Sequence, residues 1–354
     1  MEKLSTHNRL WAIVAIAGLL GLSSCKNEPV MAPTTEKQVL QSKGTLSESG
    51  SIISQKHDWL SFKDIRAFES TVTTLESFKE PEELEQWLSQ FKGFKTWKSG
   101  EPEEVGGNSD QEVRIDIPDA LLTTLLSASG RIQIADTIYQ LGHDHKAPLL
   151  FAVPQNKEAD LLKGREPGFI TGTIAHQIGL HLMPFFPKWE DNERVVTPYP
   201  VSEICNYPNQ VLFPWWGQKG DYIYQDNNGN ELTKDNGRNV RIDYHRWRVG
   251  FLFYSSAGVR VKIYKDTRLG GWMSTVKMNH VFLEACSKGI ILVPGLIPVP
   301  YNAQISASSS NTNSLERTVK WVAAPLHVEV LPHHFNFNFT VNYKGQLISR
   351  FIRE

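Results

Sequence analysis

Charge of one sign is what this sequence most conspicuously lacks. Its 37 Lys and Arg stand against 38 Asp and Glu, a formal net charge of −1 over 354 residues. A nucleic-acid partner would call for a clustered basic face, and no such excess is present, so that class is excluded. Long apolar runs are scarce too. One lies at the N-terminus, Leu10 to Gly21 (LWAIVAIAGLLG). It is shorter than the ~20 residues a membrane-spanning helix needs, and no later run approaches that length. Cysteine is rarer still, with three in the chain. Catalytic signatures are missing as well: there is no G-x-S-x-G elbow, no Walker loop and no G-x-G-x-x-G fingerprint. What remains is ample for a packed fold, with 40% hydrophobic and 10% aromatic residues.

The organising stretch is the N-terminus. Lys3 and Arg9 precede the apolar run, and Leu22-Ser23-Ser24-Cys25 closes it. A basic start, about a dozen apolar residues and a small-residue end are the parts of a secretory signal peptide, here residues 1–24. LSSC resembles the lipobox of bacterial lipoproteins. That resemblance implies cleavage before Cys25, acylation of its sulfur, and the membrane as a partner through the N-terminal lipid. No other cofactor is implied. One acyl chain holds weakly and several hold firmly. Residues 25–57 form a polar Ser/Thr/Lys/Gln segment with Pro29 and Pro33, read as a flexible tether. Compartments beyond the inner membrane permit disulfides. With Cys25 taken by the anchor, Cys205 and Cys286 are left either as one bridge or as two separate buried thiols.

Residues 58–163 read as a helical, α+β N-terminal region. Ser61 to Asp64 has the form of a capping box. Phe62, Ile65, Phe68, Val72, Leu75 and Phe78 then recur at helical spacing. Pro81 opens a second helix with Leu84, Trp87, Leu88 and Phe91. A third begins at Pro118 and carries Leu121, Leu122, Leu125 and Leu126, with Gly130 at its left-handed cap. Strands follow from Ile132, and a small helix is expected over Lys157 to Leu162. Residues 164–220 are an irregular Gly/Pro/aromatic connector. Residues 221–354 read as β: Asn228-Gly229 marks a hairpin turn, Val259 to Ile263 alternates, and Phe335, Phe337, Phe339, Val341 and Tyr343 line one strand face. The Ser/Asn-rich run at 307–314 reads as an exposed loop. The fold class expected is therefore α+β, a small helical region followed by a mainly antiparallel, sandwich-like β region.

Candidate chemistry is sparse. His143 and His145 flank Asp144, and in an extended strand both histidines would face one ion. His176 and His181 are five apart with Gln177 after the first, which rejects a zincin site. His333 and His334 would point to opposite faces. Asp226, Asn228, Asn230 and Glu231 supply oxygens, but Gly229 stands where an EF-hand does not need it, so a hairpin tip is the simpler reading. Trp215, Trp216, Trp247 and Trp272 have the chemistry to stack on sugar rings. Trp215 and Trp216 are the binding candidates, with core packing as their alternative role.

Three stretches resemble uncharacterised Bacteroidetes lipoproteins: LSFKDIRAFESTVTTLESFKEPEELEQWLSQFKGFKTW, LLTTLLSASGRIQIADTIYQL and HRWRVGFLFYSSAGVRVKIYKD. The resemblance implies a location and an architecture, and it carries over no site residue. It places the chain at the outer membrane, and Lys26-Asn27-Glu28 leans toward the cell surface. The function expected is non-catalytic binding of a glycan, a protein or another envelope component. A hydrolase of extracellular polymers, using an acid pair or a metal, is one alternative, and a structural subunit of an envelope complex is another.

Overall fold

Period-two alternation of side chains governs most of the described residues. The structure is a computed structural model that describes residues 52–78, 81–97, 117–144, 147–178, 204–205, 217–267, 271–325 and 327–352. These all belong to one unit, Ser47–Glu354. Cys25, Trp215, Trp216 and His145 lie outside the described residues.

The first sheet has six strands in chain order: β1 (Ile53–Lys56), β2 (Trp59–Phe62), β3 (Arg131–Ile134), β4 (Thr137–Asp144), β5 (Ala147–Pro154) and β6 (Ile174–Gln177). Every neighbouring pair is antiparallel except β2 and β3, where Phe62 runs parallel to Ile134. A parallel pair requires a crossover connection. Here the crossover contains α1 (Ile65–Ser77), α2 (Pro81–Leu88) and α3 (Ala120–Leu125). α4 (Glu158–Leu162) follows β5.

This corrects the expected fold class. The described residues are mostly β, arranged in three sheets, and not an α+β fold with a helical N-terminal region. The helical stripe from Ile65 to Leu75 is real, with Phe68, Val72 and Leu75 buried. Its start differs, because Asp64 and not Ser61 caps the helix, accepting from the Ala67 amide at 2.8 Å. Phe62, counted in that stripe, belongs to β2. Strands of four residues such as ISQK and WLSF hold only two side chains per face, too few for alternation to register.

The second sheet orders β10 (Trp272–Met273), β9 (Tyr254–Asp266), β8 (Val240–Phe251) and β7 (Gly217–Ile223), with β13 (Ser314–Ala323) also paired to β9. The third orders β12 (Val299–Thr312), β11 (Met278–Leu292), β14 (Glu329–Tyr343) and β15 (Gln346–Ile352). The run expected as a loop at 307–314 is therefore largely strand. Serine is tolerated there because alternate positions of β12 face solvent. Sheets two and three form a sandwich, in which Ile242, Tyr244, Val259, Val261 and Ile263 meet Val281, Leu283, Phe337, Phe339 and Val341.

β8 serves two cores. Its inward residues Val240, Ile242 and Tyr244 join the sandwich, while Trp247, Val249 and Phe251 project from the opposite face. There they pack with Phe68, Leu122, Leu125 and Ile132 of the first sheet and its crossover. The outer face of sheet two is thus covered at one end. The functional candidate sits at the other.

A disulfide joins Cys205 to Cys286, with Cα atoms 5.5 Å apart and a sequence separation of 81. It clips Ile204 and Cys205 to β11. Lys288 Nζ donates to the Cys205 carbonyl at 2.7 Å, and Asn336 Nδ2 to the Ile204 carbonyl at 2.9 Å. Closing a loop of that length stabilises by about 4.5 kcal/mol in the chain-entropy model.

Candidate functional site: an aromatic cradle on the outer sheet face

Strand register brings the cradle together. Tyr222 of β7 lies opposite Asp243 of β8, Arg241 opposite Tyr264 of β9, and Asp243 opposite Lys262. Trp272 of β10 pairs with Asp266, two residues beyond Tyr264 on the same face. These side chains converge on one guanidinium. Arg241 Cζ lies 4.3 Å from the Trp272 ring centroid, 5.3 Å from Tyr222 and 5.5 Å from Tyr264. Each is within cation–π range. Tyr224 adds a fourth ring, 5.2 Å from Tyr222 and 5.9 Å from Trp272. Tyr222 and Tyr224 are each 40% exposed, so their rings border solvent.

Asp243 fixes the centre. Its Oδ1 lies 2.8 Å from Arg241 Nε and its Oδ2 3.0 Å from Nη2, a side-on pair of parallel contacts. Burial pushes the Asp243 carboxyl up to about 6, and Arg241 opposes that rise without cancelling it. A carboxyl raised this way binds a proton in the folded chain between about pH 4 and 6, where the unfolded chain has released it. The contribution of this group to stability therefore falls as pH rises through that window. Asp243→Asn is expected to remove this slope, which is at most about 1.4 kcal/mol per pH unit for one group. Urea melts of both proteins at pH 4, 5 and 6 test it, and parallel stability curves would contradict it.

Other sequence candidates fall elsewhere. Trp247 is fully buried and belongs to the core, whereas Trp272 is a cradle wall. His143 and Asp144 end β4 opposite Pro148 and Ala147. Among the described residues no group of three His, Cys, Asp or Glu is placed to hold a metal. His333 is exposed and His334 buried, as alternation requires. Asp226 closes the Asn-Gly hairpin tip, its Oδ1 accepting from the Asn228 and Asn230 amides at 2.9 Å each.

A groove of about 310 Å³ between α1 and β13 holds Glu69, Glu76, Lys320 and Trp321. Its two carboxylates are seven residues apart on one helix, roughly 10 Å along the axis at 1.5 Å per residue. They line one wall and do not oppose each other. Glycosidic acid pairs flank the bond they cleave, at about 5–10 Å. Glu76 also accepts from Trp321 Nε1 at 3.0 Å. The geometry is that of a supported wall more than an acid–base pair.

Sequence reasoning missed Tyr222, Tyr224, Arg241 and Tyr264. The available signal was Tyr222-Ile223-Tyr224, which sets two tyrosines on the face opposite a buried isoleucine, where a sandwich strand ordinarily shows water a small polar side chain.

No family model matches the chain, and no curated protein matches it. Among solved structures, it is similar to a DUF4848 family protein from Bacteroides thetaiotaomicron. The match covers 84% of this chain and 97% of that one at 10% identity, with a TM-score of 0.18. At that TM-score the likeness contributes nothing to the reading of the site.

Proposed function

We propose that the chain is a non-catalytic glycan-binding lipoprotein and that the Arg241 cradle is its binding surface. The observation that carries this is the pair of half-exposed tyrosines beside an arginine whose fork is fixed by a carboxylate. Sugar rings present flat C–H faces edged by hydroxyls. Aromatic faces cover the former with little loss of side-chain entropy, and the held guanidinium of Arg241 offers donors to the latter. The Asp243 carboxyl is buried and already paired, which suits it to hold Arg241 in place.

Tyr222→Ala with Tyr224→Ala tests the reading. Two rings at about 1 kcal/mol each correspond to a roughly thirtyfold loss of affinity. Both side chains are partly exposed, so the melting temperature is expected to stay within a few degrees. Isothermal titration against neutral oligosaccharides selected on a glycan array measures the first, and a thermal melt the second. Unchanged affinity for a glycan the wild type binds would remove the cradle from the account.

The anchor completes the proposal. Acylation at Cys25 would tether the domain to the outer membrane, facing outward. Cys25→Ser is expected to move the protein from the membrane to the soluble fraction. Protease added to intact cells is expected to remove the wild type while a periplasmic control survives. Retention of the serine variant in the membrane would contradict the anchor.

A further inference from the structure

Natural sheets guard their edge strands with charge, proline, bulges, short length or a covering loop, because an unguarded edge pairs with other chains. Most edges here follow that rule. β1 and β6 have four residues each, and β10 has two. β7 carries Lys219 and Asp221, and β13 carries Glu316, Arg317 and Lys320. β15 is covered: the Asn227 amide donates to the Leu347 carbonyl at 2.9 Å, and its Oδ1 accepts from the Ser349 amide at 2.8 Å.

β12 is different. From Gly289 to Leu315 the chain has no Asp, Glu, Lys, Arg or His, and from Tyr301 to Thr312 it has no proline. Its ladder to β11 keeps one register from Val299 to Thr312 with no bulge. Asn302, Gln304, Ser306, Ser308 and Ser310 face outward and are exposed. Tyr301, Ala303, Ile305 and Ala307 point inward but are only partly buried against the sandwich core. Among the described residues it is a long, neutral edge with Pro300 near its start and Asn311 at positive φ near its end, and its apolar side is half covered.

We infer that β12 pairs with β12 of a second copy, antiparallel about a two-fold axis, joining two four-stranded sheets into one of eight. The occupant follows from charge and symmetry. A two-fold sets the strand against itself, so every side chain must tolerate its own kind. Ser, Asn and Gln both donate and accept, and they bring no like-charge repulsion. A charged foreign strand would find no opposite charge along this edge. Keeping the inward residues of both copies on one side requires odd positions opposite odd, which closes Ala303, Ile305 and Ala307 over one another.

Sedimentation of the full-length protein in detergent, over about 1–100 µM, tests the inference. The wild type is expected to be dimeric at the upper end. Gln304→Lys with Ser306→Lys places like charges directly across the pair when Ile305 meets Ile305, and is expected to raise the dissociation constant at least about tenfold. Leu347→Lys on β15 is expected to leave it unchanged. A monomeric wild type, or a dimer indifferent to the lysines, would overturn the inference. Should the lysine variant fail to fold, Ser306→Cys treated with a short bis-maleimide decides. Linked dimers well above a Leu347→Cys control support the pairing, and equal yields refute it.

Discussion

Asp119→Ala is expected to lower the stability of the fold by roughly 3–5 kcal/mol, summing a lost helix cap and two stranded hydroxyls. Asp119 is fully buried. Its Oδ1 caps α3, accepting from the Leu121 amide at 2.9 Å and the Leu122 amide at 3.3 Å, and lies 3.4 Å from Thr318 Oγ1 of β13. Its Oδ2 accepts from Tyr254 Oη at 2.7 Å and from Ser256 Oγ, both on β9. One carboxyl therefore ties the crossover to two strands of the second sheet. Burial raises its pKa, and the Ser256 and Tyr254 hydroxyls and the Leu122 and Leu121 amides pull the other way.

Alanine would leave the Tyr254 and Ser256 hydroxyls without that acceptor in the core, and such stranded groups cost about 1–3 kcal/mol each. Asparagine keeps an acceptor oxygen for the cap and is expected to lose less than alanine. Urea unfolding of the three proteins measures the order, and an alanine loss below about 1 kcal/mol would contradict the role given to Asp119.

Gly258→Val is expected to be comparably damaging, by about 3 kcal/mol or more, at or beyond the usual range for overpacking. Gly258 pairs with Trp247 across β8 and β9. A Cβ built on it falls 2.1 Å from Trp247 Cζ2 and 2.6 Å from the Arg317 carbonyl oxygen. The need is for space and not for an unusual backbone angle. Trp247 is completely buried among the residues of the first core, and the carbonyl belongs to the β13 backbone, so neither can step aside cheaply. Trimming the ring should relieve part of the clash. Gly258→Ala combined with Trp247→Leu is thus expected to lose less than the sum of the two single changes, the sign of coupled neighbours. Strict additivity would place the strain elsewhere.

The sequence was legible where a pattern ran long enough to show its period. The stripe from Ile65 to Leu75, the Asn-Gly turn and the aromatic row from Phe335 to Tyr343 all took the local form expected of them. Short strands were not legible, and the crossover between β2 and β3 was invisible because its pairing spans some seventy residues of helix and loop. The serine run of β12 misled for a physical reason. Turn-forming composition and an exposed strand face both select small polar residues, and only the partner strand distinguishes them. The cradle was half legible. Trp272 was named for its chemistry, while Arg241 and Tyr264 owe their meeting to register across three strands.

The central claim is that the outer face of the second sheet binds glycan through its tyrosines. Titrating one array-selected oligosaccharide into wild type and into the Tyr222→Ala/Tyr224→Ala variant, at matched folded fraction, tests it most directly. The wild type is expected to bind, and the variant to bind with a roughly thirtyfold weaker constant at nearly the same melting temperature. Equal constants would contradict it.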